Sequence, residues 1–240
     1  GNGEAAAELM RKIAYREDIG DLLGENLRTI AQTIGGEAIN MVVEIKGGGI
    51  QVHDQRSVWG WMLASAVSDY STTYIGNNIN LSPLPEIGFN EPIFGGTRDH
   101  QAIASVKSSP QKMLMDVFVV CGFPGPITGV PTKMMVETLS AITGIEYSMD
   151  DFNKAMFRLQ TLARAYSIRH GLTPEDDIPS ERLLSAPVDG GAKGRSIKPY
   201  IKGMINEYYR LMGWDEKTSK PLRRTLKELD LEFVIQDIWD

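Results

Sequence analysis

Residues 148–171 read SMDDFNKAMFRLQTLARAYSIRHG. Phe152, Met156, Leu159, Ala163 and Tyr166 recur at three- and four-residue spacing, which is the period of a helix with one apolar face. Gly171 ends the pattern. This is the longest periodic segment, and its neighbours on both sides repeat its character.

Upstream, VPTKMMVETLSAITG (130–144) starts a helix on Pro131 and stops it on Gly144. SSPQKMLMDVFVV (108–120) predicts another, with Ser109 as the cap and Pro110 in the first turn. Residues 76–100 are rich in Asn, Pro and Gly and read as a long loop, a kind of segment that often carries function. RSVWGWMLASAVSDYS (56–71) is a short apolar helix with Trp59 and Trp61. MVVEIKGGG (41–49) is the one strand-like piece, and its glycines suggest a linker. Before it, EAAAELMRKIAYRE and DLLGENLRTIAQTIG predict two helices, the second capped by Gly35. Downstream, 172–195 read as loop, and SIKPYIKGMINEYYRLMGWD and SKPLRRTLKEL as two closing helices. The predicted class is all-α and multi-helical.

Composition narrows the function. In 240 residues, 42% are apolar and 23% charged, as in an ordinary globular protein with a sizeable core. A net charge of -6 argues against a nucleic-acid or anionic-membrane partner. No apolar run reaches the roughly 18 residues of a membrane span, and no basic-then-apolar signal segment opens the chain. A single cysteine forms no internal disulfide, which fits a cytoplasmic location. The opening GNGEAAAELM has no methionine, as expected of a processed product or an excised fragment.

Common metal and nucleotide motifs are absent. There is no CxxC, HExxH or calcium-loop pattern. GGAKGRS (190–196) has the composition of a phosphate loop without its spacing, so it reads as a solvated loop. No nucleophile elbow accompanies the three histidines. Glu175, Asp176 and Asp177 read as a capping loop, and His170 sits at a helix end that favours a cation.

MLMDVFVVCGFPG (113–125) stands apart, because it places Asp116 in an apolar run and the sole cysteine, Cys121, five residues on. An unpaired buried carboxylate costs several kcal/mol, so Asp116 requires a donor. In one continuous helix the two side chains would stand about 140° apart and could not meet one atom. On the residues alone, Cys121 is a small buried apolar group or a ligand to something adjacent.

Several stretches resemble one family. GNGEAAAELMRKIAYREDIGDLLGENLRTIAQTIG resembles the "GN-EA--ELIEKIA-REGIGDLLAEG" stretch of tungsten-containing aldehyde:ferredoxin oxidoreductases. VEIKGGGIQVHDQRSVWGWMLASAVSDYS is similar to their "VKGLEIPAYDPRG--G-GL-YATS-RG", and NEYYRLMGWDEKTSKPLRRTLKELDLE to "DEYY--RGWD--G-PT-EKL-ELGLE". MDVFVVC corresponds to "D--GLC". The order is kept along essentially the whole chain.

The resemblance implies that Cys121 is the fourth thiolate of a [4Fe-4S] cluster and that Asp116 contacts the pterin of a tungsten (or molybdenum) bis-pterin cofactor. A cluster takes about four thiolates, so the other three, and the N-terminal pterin-binding domain, would lie elsewhere. Residues 1–45 would then end the second helical domain, and 46–240 form the third. The implied parent interconverts aldehydes and carboxylic acids with ferredoxin as electron carrier. The fragment alone would hold no cofactor and be inactive, and its uncovered apolar faces would favour a homo-oligomer. Val119 and Val120 stand where the family has Gly-Leu, Tyr74 where it has an active-site histidine, and His53 where it has the tyrosine of "AYDPR". A tyrosine does not exchange protons near neutral pH as a histidine does. Two alternatives remain open: a benzoyl-CoA reductase-type catalytic subunit, and a non-catalytic helical interaction module.

Overall fold

The computed structural model describes residues 1–50, 53–69, 88, 90–91, 97–120 and 132–240. Four short helices open it: α1 (Gly3–Tyr15), α2 (Ile19–Leu23), α3 (Leu27–Ile34) and α4 (Ala38–Met41). Asn2 and Asn26 cap α1 and α3 by accepting from the backbone N–H groups of Ala5 and Thr29. The backbones of α1 and α2 touch: a Cβ on Gly20 would lie 2.3 Å from the carbonyl carbon of Lys12. Leu9, Met10, Tyr15, Ile34 and Met41 on these helices remain exposed.

The strand-like piece is a two-residue hairpin. Strands β1 (Glu44–Ile45) and β2 (Gly48–Gly49) pair antiparallel, with Glu44 opposite Gly49 and Ile45 opposite Gly48. The turn passes through Lys46 and Gly47, both at positive φ.

α5 (Trp59–Val67) is the core helix; every residue but Trp61 is buried, as expected of a helix apolar all round. Around it lie α6 (Gln101–Phe118), α8 (Met149–Arg169), α9 (Glu181–Leu184) and α10 (Ile201–Leu211). Met62, Leu63, Ala102, Leu183, Ile205, Tyr208 and Trp214 are among the side chains of this core. A second cluster joins α6, α7 (Thr132–Thr143) and α8 through Leu114, Val136, Phe152 and Met156. A third packs Ala165 against Leu226 of α11 (Arg223–Glu228) and Ile238 of α12 (Ile235–Trp239). At the α10–α11 joint, Gly213 adopts φ 69°, and a Cβ there would come within 2.3 Å of Thr225 Oγ1. No helix among the described residues is long and apolar enough to cross a membrane.

The all-α expectation holds, with corrections of detail. The second predicted helix is broken between Leu23 and Leu27 into α2 and α3, and 172–195 is not all loop but carries α9. α6 does not begin at Ser109 but at Gln101, and Pro110 lies inside it. Pro110 offers no N–H to the carbonyl of Val106, and Ser109 Oγ donates to that oxygen instead, at 2.9 Å. The helix therefore passes through its proline without an orphan acceptor there. On α8 the inward face is Phe152, Met156, Gln160, Arg164 and Ala165, while Leu159 and Tyr166 are exposed. The stripe turns because Arg164 is drawn inward by a buried partner. Finally, Glu232–Val234 and α12 add a closing turn and helix that the sequence pattern did not announce. Most of the 76–100 loop lies outside the described residues.

Candidate functional site

The last turn of α6 carries the residues singled out from the sequence. Asp116 stands one turn from the helix end, and Lys112, four residues earlier, donates to both of its oxygens at 2.5 Å. The lysine side chain is 13% exposed and that of Asp116 39%, so the cation lies on the protein side of the pair and the carboxylate on the outer side. An acid near a helix C-terminus opposes the dipole, and Lys112 offsets that cost.

The helix then stops in a tight cap. Val119 N–H reaches Asp116 O, and Val120 N–H reaches Met115 O at 3.0 Å. Val119 is left-handed, at φ 54° and ψ 40°, and 91% exposed. A β-branched residue is rare in that region, whereas glycine enters it freely. Val117 and Val120 are also exposed, so Asp116 sits within an apolar rim. Cys121 and Tyr74 lie outside the described residues. Asp116 can accept hydrogen bonds from a ligand's N–H groups, which is the chemistry a pterin contact needs.

His53 lies apart from this turn. It lines an open cleft of about 270 Å³ with Arg56 and Arg182, and its ring stands 5.5 Å from that of Trp61. His170 caps α8 in contact with Tyr166, centroids 4.3 Å apart. Among the described residues, no group of three or more His, Cys, Asp or Glu side chains is placed to hold a metal ion.

A buried charge cluster escaped the sequence reading. Of the acidic triplet, Asp176 does cap its turn, accepting from Thr173 N–H and Oγ1 at 2.8 Å. Asp177 instead points inward. Arg164 grips it with two N–H groups, at 3.2 and 2.8 Å. Lys46 Nζ lies 2.6 Å from its other face, and the Tyr209 hydroxyl donates to it. The Arg164 guanidinium packs against the rings of Tyr209 and Trp214, 5.3 Å from each centroid. Burial alone would raise the Asp177 carboxyl; Lys46 and Arg164 outweigh it and hold the group below the ordinary carboxylate range. Asp69, just past α5, faces Arg164, Lys46 and Asp177 and hydrogen-bonds Ser167. Burial pushes its carboxyl up to about 6, the two cations opposing. Lys46 turns the hairpin at positive φ, a backbone angle that the sequence does not show.

The chain is similar to several known proteins. The chain is 28% identical over 239 residues to the tungsten-containing aldehyde ferredoxin oxidoreductase of Pyrococcus horikoshii, covering 97% of this chain and 37% of that protein. The enzymes of the same name from Thermococcus kodakarensis and Pyrococcus abyssi are 27% and 29% identical, each matched over 98% of this chain and 38% of their own length. The chain thus spans little more than a third of the curated relatives it matches. Its fold is similar to that of a chain in the active-site complex BamBC of benzoyl coenzyme A reductase with 1,5-dienoyl-CoA, at a TM-score of 0.68 and 20% identity, over 95% of this chain and 39% of that one. The model for aldehyde ferredoxin oxidoreductase, domains 2 and 3, matches residues 1–231, and the chain belongs to that family.

Proposed function

We propose that the chain is the helical part of a tungstopterin, iron-sulfur oxidoreductase that interconverts aldehydes and carboxylic acids with ferredoxin as electron carrier. The observation that carries this reading is the end of α6. An outward carboxylate, Asp116, is followed by a left-handed turn at Val119, the position that is glycine in the family motif. In this reading Asp116 accepts hydrogen bonds from the pterin, Val119 and Val120 face it, and Cys121 supplies one thiolate to a [4Fe-4S] cluster. Residues 1–45 close one helical domain and 46–240 form the next. The pterin-binding domain and the other thiolates come from sequence beyond these 240 residues, and the enzyme works in the cytoplasm. Without them the helical part is inactive, and it self-associates through the apolar faces of α1–α4.

Oxidation of an aldehyde, with water supplying the oxygen atom, yields a carboxylate, three protons and two electrons, and the electrons leave one at a time to two ferredoxins, which are the oxidant. The metal cofactor supplies the redox chemistry when bound; the protein orients substrate and handles protons. Tyr74 replaces the residue expected to handle them. That substitution supports a second reading, a benzoyl-CoA reductase-type subunit, in which reducing equivalents flow to an aromatic ring.

The test is metal analysis of the complete polypeptide. Cys121→Ser should lose cluster iron and sulfide, because a hydroxyl is a poor substitute for a soft thiolate. Asp116→Ala should lose tungsten and keep most iron. A full, reducible cluster in Cys121→Ser would overturn the ligand assignment. Assays with an aldehyde and with an aromatic acyl-CoA then separate the two readings.

A further inference from the structure

Among the described residues, the cleft beside the hairpin carries an uncommitted guanidinium, that of Arg182 on α9, which is exposed. The acids beside it are already taken. Asp54 is gripped by Arg56, whose Nε lies 2.9 and 3.0 Å from its two oxygens and whose Nη2 reaches Oδ2 at 2.6 Å. Arg56 first of all holds that carboxyl below the ordinary range, and Arg182 adds to this only from farther off. Glu181, the chain neighbour of Arg182, is bound by Lys198 at 2.7 Å. Arg56 itself has little left to offer, since its Nη1 turns to Ser185 Oγ and Asp189 lies near it. The Arg182 guanidinium makes no hydrogen bond or ion pair among the described residues.

The rest of the cleft defines what would pair with it. Val43, Ile50 and Leu183 give it apolar walls. His53 lines it with an exposed ring packed on Trp61, and its nitrogens make no hydrogen bond among the described residues. A volume of about 270 Å³ lies just below the usual range of ligand pockets, which suits a small molecule. One unspent cation matches one negative charge, and a guanidinium meets a carboxylate through two parallel N–H groups. A dianion would set its second charge uncompensated beside Asp54, which lines the same cleft.

We propose that this cleft binds a small organic carboxylate, its charge forked by Arg182, its apolar body on Val43, Ile50 and Leu183, and His53 as a second donor. Neither the pterin nor the cluster enters, so the site stands or falls apart from the reading of Asp116 and Cys121.

The experiment is calorimetric titration of the complete polypeptide with sodium benzoate, with its neutral isostere benzamide and with inorganic phosphate. Arg182→Gln, Arg182→Lys and His53→Ala are titrated alongside, and circular dichroism reports their helicity. Benzoate should bind with a Kd on the order of 1 mM, and benzamide and phosphate about tenfold more weakly or less. Arg182→Gln should weaken benzoate about tenfold or more, and Arg182→Lys by less, because lysine keeps the charge and loses the fork. His53→Ala should weaken it about two- to tenfold. Arg182 is exposed, so helicity should be unchanged in its variants. No binding of benzoate, or equal binding to Arg182→Gln, would overturn the proposal. So would benzamide binding as well as benzoate, which would mean that no charge is read, or phosphate binding more tightly, which would make this a site for inorganic anions.

Discussion

Arg164 and Asp177 meet through two hydrogen bonds, at 3.2 and 2.8 Å, with both side chains wholly shielded from water. The pair joins α8 to the turn at Pro174–Asp177, and Lys46 and Tyr209 close on it from the hairpin and α10. Removing one member strands the others. Asp177→Ala would leave two buried cations without their anion, so we expect a loss of about 3–5 kcal/mol of stability. Urea unfolding measures it, and a loss under about 1 kcal/mol would show that the cations find water or another partner.

The same cluster sets a pH profile with two arms. Asp69 is raised to about 6, so its contribution is full below the ordinary carboxylate value and is lost as pH rises through about 6. Although the residue is partly exposed, its Oδ1 is sealed from solvent, and the arm is on the order of 3 kcal/mol at most. Asp177 is lowered, so its contribution is present above the ordinary value and lost as pH falls through its folded value. Stability should therefore climb as pH falls from about 6 towards the ordinary carboxylate value of about 4, and fall in stronger acid. Asp69→Asn should flatten the upper arm and leave the acid arm. Thermal melts across this range decide it; an unchanged upper arm in Asp69→Asn would assign it elsewhere.

The proline inside α6 predicts a coupled pair of substitutions. Ser109→Ala removes the hydroxyl that serves the Val106 carbonyl and should cost about 1–3 kcal/mol. Pro110→Ala restores an N–H to that carbonyl, so adding it should recover roughly 1 kcal/mol of the loss. A double-mutant cycle measures the coupling, and simple additivity would mean that the hydroxyl is not what satisfies the carbonyl.

Val119→Gly should stabilise the chain. The left-handed conformation costs a residue with a Cβ about 1–2 kcal/mol, and the more flexible glycine returns about 0.5–1 of that in the unfolded state. At 91% exposure the side chain forfeits little packing. The expected gain is about 0.5–1 kcal/mol, with a smaller one for alanine. A loss on Val119→Gly would mean that α6 does not end in this turn.

The helical class was legible because period and punctuation agreed, as at α7, which stops before Gly144. What was lost turned on polar side chains and the partners they find, which apolar spacing does not report. Pro110 read as a start, since it usually is one; a neighbouring hydroxyl cancelled its penalty. Leu159 and Tyr166 read as core because apolarity marks core, yet the polar Arg164 claimed that face. The address of such a residue depends on Asp177, and spacing carries no trace of that. At the site, Asp116 was conspicuous as an acid in an apolar run. Lys112 was not, because a lysine on a helix is unremarked until its burial is seen.

The hairpin has a consequence for synthesis. Glu44 and Ser180, joined by two hydrogen bonds, are 136 residues apart. At ribosomal speeds the second emerges roughly 7–27 s after the first. Nearly the first fifth of these 240 residues is thus translated before its fastening exists. In that interval the ammonium of Lys46, later buried against Asp177, stays in water, and a slow ribosome lengthens the exposure of the unfastened segment to aggregation, proteases and chaperones.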